Sequence, residues 1–249
     1  LEFRRVLFRS KVDVKTPDGT CDAVLYKPAG QGPWPGVIML TDIMGSRPAF
    51  YGMAARMADY GFVVLLPNIY YRSGRQPLFD HVPNSQDPND RPKLLEFGTH
   101  LTVQAQCNDG GAYVDFLASQ ADVKGKIGVV GYCLTGPTSV YTAAMRPDKV
   151  GVGATFHGVK LATEAADSPH TFLPKIKAVM YFGHATNDQT CPADMIAKLE
   201  AEMKKIGTKG ESVIYAAEHG FAVTGSRRYD EAASEKHWSV LTKLYKENL

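Results

Sequence analysis

Apolar residues follow two alternating rhythms along this chain. Gly36-Val37-Ile38-Met39-Leu40 and Phe62-Val63-Val64-Leu65-Leu66 are unbroken apolar runs, the pattern of strands buried on both faces. Between them, Phe50, Met53, Met57 and Tyr60 recur at helical spacing after Pro48 and before Gly61, so this segment predicts a helix. Upstream, residues 12–16 and 22–27 are β-prone and flank the turn signal Pro17-Asp18-Gly19, which predicts a hairpin. Downstream, 127–130 reads as a strand, 137–146 as a helix, and 150–156 and 177–182 as strands. Pro192 opens a helix with the stripe Met195, Leu199, Met203 and Ile206, and Gly207 stops it. A short strand over 211–216 and a helix over about 228–247, with Trp238, Leu241 and Tyr245 on one side, complete the series. One helix is expected within 93–120, and residues 73–92, with four prolines, are expected to form an irregular excursion. Strand and helix alternate without internal linker or repeat, which predicts one α/β domain over residues 11–249 built on a mostly parallel sheet.

Composition narrows the function classes. At 249 residues and 44% hydrophobic, the chain is neither disordered nor a disulfide-stapled miniprotein. No apolar run approaches the roughly 18 residues that span a bilayer, so no membrane partner is expected. The net charge of +2 comes entirely from residues 1–10, which hold three Arg and one Glu. The neutral remainder offers no basic footprint for nucleic acid. That opening decamer is read as a non-native or truncated leader outside the fold, with a native edge strand as the alternative. Cys21, Cys107, Cys133 and Cys191 form no C-x-x-C pair and no zinc-finger spacing with His, so free thiols and a cytoplasmic location are expected.

In such a sheet, ligands bind beyond the carboxyl ends of the strands. After the strand 127–130 comes Gly131-Tyr132-Cys133-Leu134-Thr135-Gly136, which leads straight into a helix. Strand, sharp turn and helix make a nucleophile elbow, usually written G-x-S-x-G, and here the central residue is Cys133. The helix start favours a thiolate and offers amides to an oxyanion. A buried, inert cysteine is the alternative. The acid and base follow in chain order: Asp188 in the loop after 177–182, with Asp194 as its rival, and His219 after 211–216. His157 and His170 are placed to line the pocket, whereas His237, beside Trp238 on a helix, reads as packing. The first buried strand ends in Thr41-Asp42-Ile43-Met44, which nominates the Ile43 and Leu134 amides as the oxyanion hole. Asp42 would stand beside the thiol, or else cap the helix near Ser46 and Pro48.

With Gly131-Tyr132-Cys133-Leu134, the Asp188 loop and Glu218-His219-Gly220-Phe221, the chain resembles the dienelactone hydrolase (carboxymethylenebutenolidase) family over about residues 12–249. The resemblance implies a three-layer α/β-hydrolase fold and a Cys133–His219–Asp188 triad. It also implies an acidic partner for the resting thiol, here Asp42, and an arginine that binds a substrate carboxylate, here Arg72 in Asn68-Ile69-Tyr70-Tyr71-Arg72. The Ser and Arg expected after the catalytic His are Gly220 and Val223, so half of that carboxylate clamp is missing. Thr135 stands where the family has Gly, and its β-branched side chain is expected to crowd the elbow.

The expected function is hydrolysis of a small ester or lactone through a thioester on Cys133, without cofactor or metal. Tyr70, Tyr71, Arg72, His157 and His170 would line the pocket, and residues 73–92 would cover it. The alternatives are a non-catalytic α/β-hydrolase-like binding protein with a decayed site and a thiol redox enzyme, which the lack of a partner cysteine disfavours.

Overall fold

Continuous apolar runs become central strands here because each of their two side-chain sets meets a different layer. In β3 (Trp34–Leu40), Val37 and Met39 face one core while Ile38 and Leu40 face the other. β4 (Val63–Pro67) divides in the same way, with Val64 and Leu66 against Val63 and Leu65. The computed structural model describes residues 8–249. These form an eight-stranded sheet in the order β1-β2-β4-β3-β5-β6-β7-β8, whose remaining strands are β1 (Phe8–Thr16), β2 (Gly19–Lys27), β5 (Val123–Tyr132), β6 (Val150–Phe156), β7 (Val179–Ala185) and β8 (Gly210–Tyr215). The run from β4 to β8 is parallel, and the β1–β2 hairpin joins β4 antiparallel. This is the α/β-hydrolase arrangement.

The first face of the sheet is covered by α1 (Pro48–Asp59) and α6 (Glu231–Asn248). They bury Phe50, Met53 and Met57 from the former and Trp238, Leu241 and Tyr245 from the latter. The second face carries Tyr113, Val114 and Leu117 of α3 (Val103–Ala118) and Val140 and Ala143 of α4 (Gly136–Met145). Ile196, Leu199 and Met203 of α5 (Ala193–Ile206) complete that layer. Gly207 ends α5 in the left-handed conformation that only glycine adopts cheaply, with φ 68°. Among the described residues, no helix is long and apolar enough to cross a membrane.

Three expectations change. The single helix expected within 93–120 is two, α2 (Asp90–Thr99) and α3, because the Thr102 hydroxyl accepts the Ala105 amide and starts a new helix. α2 also begins inside the expected excursion. Phe8, Arg9 and Ser10, assigned to a leader outside the fold, are the start of β1. Their backbone pairs with Lys27, Tyr26 and Leu25, and the Arg9 guanidinium lies 4.6 Å from the centre of the Tyr51 ring. The rest of that leader, residues 1–7, lies outside the described residues. The parallel strands leave the loops 41–47, 133–136, 186–192 and 216–223 at one edge of the sheet, and the candidate chemistry collects there.

Candidate active site

Cys133 occupies a backbone conformation that side chains avoid, with φ 53°, at a cost of about 1–2 kcal/mol. Close packing maintains it. A Cβ on Gly131 would lie 2.2 Å from the Thr135 carbonyl oxygen, and one on Gly136 would lie 2.6 Å from Gly158 Cα. Both contacts are impossible for a larger residue, so strand, turn and helix approach here as closely as backbone allows. The Val159 amide donates to the Cys133 carbonyl at 3.2 Å and ties the turn to the loop after β6. Tyr132, just before the turn, donates its phenol to His237 Nε2 at 2.8 Å, and His237 Nδ1 donates to the Ser234 carbonyl. His237 is therefore a buried pin for the elbow, as its packing role implied. All four cysteines are free, and Cys133 alone among them is not fully buried.

Two later loops bring an acid and a base to this turn. After β7, Asn187 takes a left-handed turn (φ 51°) and sends Asp188 inward. The two Asp188 carboxylate oxygens divide their work. Oδ1 accepts from the Thr190 amide at 2.9 Å and the Thr190 hydroxyl at 2.7 Å, and Oδ2 accepts from His219 Nδ1 at 2.6 Å. Burial opposes the charge on Asp188, yet the hydrogen bonds from His219 and Thr190 hold its pKa down at about 2. Burial likewise opposes a charge on His219. The Asp188 carboxylate and the Cys133 thiol outweigh it and lift the imidazole to about 10. The structure thus brings Cys133, His219 and Asp188 together, whereas Asp194 lies in the first turn of α5. Thr190 had no signal beyond its place two residues after the acid.

At the end of β3, the Met44 and Gly45 amides turn back onto Asp42, to its side chain at 2.9 Å and its carbonyl at 3.0 Å. The Ile43 amide has no backbone acceptor among the described residues, and the Leu134 amide lies in the first turn after Cys133, where a helix start leaves N–H groups without intrahelical partners. The Tyr70 hydroxyl donates to the Ile43 carbonyl at 2.7 Å and steadies this loop. Tyr70 is near enough to Cys133 that the thiol's charge, after burial and Asp42, helps push the phenol pKa up.

Asp42 does not partner the thiol. Its two oxygens accept from Arg47 Nη1 at 2.5 Å and Nη2 at 2.7 Å, and both side chains are buried. Nor does it cap α1, whose N-cap is Arg47 without a side-chain bond. Nothing in the sequence marks Arg47, a loop arginine, as the partner of an acid five residues earlier. Arg72 is also committed elsewhere. It makes a forked pair with Asp109 at 2.8 and 2.9 Å and a further bond to Asp18, and it stacks on Tyr71. The Tyr71 hydroxyl joins the same cluster through Asp109 and Thr16. Neither Arg72 nor Tyr71 is available to line the site. His170 is turned onto the Ser168 hydroxyl, among Lys198, Glu164 and Glu202. His157 does lie beside the site, its ring centre 5.0 Å from that of His219 and both its nitrogens buried without a partner among the described residues. Burial keeps it neutral, with its pKa pushed well down.

A cavity of about 150 Å³ opens beside Tyr70 and the loop 44–48, walled on its far side by Gln76, Pro77, Leu78, Phe79, His81 and Val82. The first half of the excursion walls this cavity, whose lining includes none of Cys133, His219 and Asp188.

Comparison with known proteins agrees with this fold. The sequence pattern of the dienelactone hydrolase family matches residues 21–249. A Synechocystis protein named as a candidate carboxymethylenebutenolidase is 26% identical over 234 residues, covering 90% of this chain and 91% of that protein. The crystal structure of a candidate dienelactone hydrolase from Klebsiella pneumoniae superposes with a TM-score of 0.83 at 17% identity, covering 97% and 99% of the two chains. The dienelactone hydrolase-like promiscuous phosphotriesterase P91, from metagenomic libraries, gives 0.80 at 21% identity, covering 97% and 98%.

Two predictions follow from these contacts. Removing the charge in Asp42→Asn leaves Arg47 buried and uncompensated, so unfolding free energy should fall by about 3–5 kcal/mol. The pH profile of Cys133 alkylation should stay unchanged, and a shifted profile would return Asp42 to the thiol. For the His219–Asp188 pair, the raised imidazole pKa stabilises the fold in full below the ordinary 6.5, and this contribution fades as pH rises toward about 10. The lowered carboxylate pKa contributes above the ordinary 3.8 and fades as pH falls through about 2. The Tm gap between wild type and His219→Ala should be widest between these windows and close toward pH 10. A gap that widens with alkali would contradict the assignment.

Proposed function

The chain belongs to the dienelactone hydrolase family of carboxylic ester and lactone hydrolases, and on that premise we propose that it hydrolyses small, neutral esters or lactones through a thioester on Cys133. The observation that carries this reading is the 2.6 Å bond from His219 Nδ1 to Asp188, with the imidazole lying against the thiol of a left-handed cysteine.

In the first half-reaction, His219 Nε2 carries the proton drawn from Cys133, in keeping with its raised pKa, and the sulfur adds to the substrate carbonyl. The developing oxyanion is held by the Ile43 and Leu134 amides, pre-aimed donors that cost no reorganisation during reaction. Collapse of this adduct breaks the bond to the leaving oxygen, which takes the proton from His219. In the second half, His219 removes a proton from water. The hydroxide attacks the thioester, and the sulfur leaves to recover its proton from the imidazole. Asp188 keeps the proton of Nδ1 facing itself and stabilises the imidazolium of each half-reaction.

The neutral-substrate preference rests on where the cations are. Arg47 is neutralised by Asp42, and Arg72 by Asp109 and Asp18, while Gly220 and Val223 add no charge after His219.

The reading is tested with p-nitrophenyl acetate. Wild type should release p-nitrophenol in a burst and then at a steady rate, and Cys133→Ala should abolish both. Equal rates in the two proteins would overturn it. A neutral aryl ester should also exceed its carboxylate-bearing analogue in kcat/KM by at least about tenfold, the value of one uncompensated charge contact. A preference for the anion would show that an arginine is freed on binding.

A further inference from the structure

Thr135 does not crowd the elbow as its branched side chain suggested. It is 1% exposed, and its hydroxyl accepts the Tyr132 amide at 3.1 Å while donating to the Thr41 carbonyl at 2.8 Å, with the Tyr132 carbonyl further off at 3.2 Å. The two residues it joins belong to different strand ends. Tyr132 closes β5 immediately before Cys133, and Thr41 follows β3 immediately before Asp42 and Ile43.

The β3–β5 ladder ends at the pair Leu40 and Gly131. Beyond it the chains part, one into the elbow and the other into the loop toward α1. The Thr135 hydroxyl bridges them at the point of divergence. Leu134 is its immediate neighbour, and Ile43 lies two residues past its acceptor.

We propose that Thr135 is a positioning residue that sets the gap between the Ile43 and Leu134 amides, so that both reach one oxyanion. The inference rests on the thioester reading above and adds to it a residue that touches neither substrate nor the reacting atoms. A buried hydroxyl bridging two backbone groups has little freedom to shift. If it is removed, the Thr41 carbonyl and Tyr132 amide lose their mutual tie, and the two donors separate without loss of either.

The test compares Thr135→Val, which keeps the shape but removes the hydroxyl, with Thr135→Ser, which keeps the hydroxyl. Two readouts are needed: acylation by p-nitrophenyl acetate, and alkylation of Cys133 by iodoacetamide. Alkylation displaces iodide at a saturated carbon and creates no oxyanion, so it reports on the thiol alone. Removing an oxyanion donor outright costs about 10²–10³ in kcat, so misplacing the pair should cost about 10–100-fold. Thr135→Val should therefore lose at least about tenfold in kcat with KM within about twofold, while its alkylation rate stays within about twofold of wild type. Thr135→Ser should restore acylation. If Thr135→Val fails to fold by thermal melt, Thr135→Ala takes its place with the same expectation. Wild-type acylation in the hydroxyl-free variant would overturn the proposal, and so would a parallel loss of alkylation, which would mean that Thr135 holds the sulfur instead. Cys133→Ala, run alongside, separates the two levels: full activity there sinks the thioester reading itself, whereas its loss leaves the Thr135 result to judge the positioning role alone.

Discussion

A left-handed cysteine at the end of a central strand is the constraint on which the rest of this molecule turns. The conformation is unfavourable by itself, and the close approach of Gly131 and Gly136 to neighbouring backbone keeps it in place. With the turn fixed, the thiol projects from the carboxyl edge of the sheet and the Leu134 amide follows it in the single tight turn that precedes α4. Everything else at the site is delivered to that point: Asp188 and His219 from the ends of β7 and β8, and Ile43 from the end of β3. The strain is borne by a well-packed core, in which β5 is flanked on both sides by parallel strands.

Charge is handled in buried pairs around this turn. Asp42 with Arg47 holds the loop that carries Ile43, and Arg72 with Asp109 joins the hairpin side to α3. Each pair is neutral overall, which leaves the hydrogen-bonded His219 and Asp188 as the titrating couple beside the elbow. Arg72, which matches a carboxylate clamp in type, is already paired with protein carboxylates. An arginine binds a substrate anion only if no protein carboxylate already occupies its fork.

Much of this was legible in the sequence, and the gaps have physical causes. Unbroken apolar runs such as 36–40 and 62–66 identify doubly buried strands because they are too short for a buried helix and are bounded by Gly or Pro, and the fold followed. The convergence of Cys133, Asp188 and His219 was legible because a parallel sheet places strand ends side by side, so chain order alone locates the loops. Partners were not legible. Nothing in the spacing says that Asp42 meets Arg47 or that Arg72 meets Asp109, since such pairings depend on how loops return. In the sequence Thr135 shows only the bulk of its β-branch, because the acceptor of its hydroxyl, Thr41, lies at the end of a distant strand. The break between α2 and α3 was missed because apolar spacing runs past Thr102, whose cap acts through its oxygen. Composition leaves Phe8 to Ser10 open between leader and edge strand, because a hairpin ladder accepts almost any residue whose backbone is free to pair.

The central claim is that an acyl group passes through the sulfur of Cys133. The most direct measurement is mass spectrometry of the protein quenched in acid within its first turnover of p-nitrophenyl acetate, followed by peptide mapping. The account predicts a gain of one acetyl group on the peptide carrying Cys133, removable by hydroxylamine and absent when His219 is replaced by Ala. An acetyl group found on another residue while Cys133 stays unmodified, with hydrolysis proceeding normally, would contradict it.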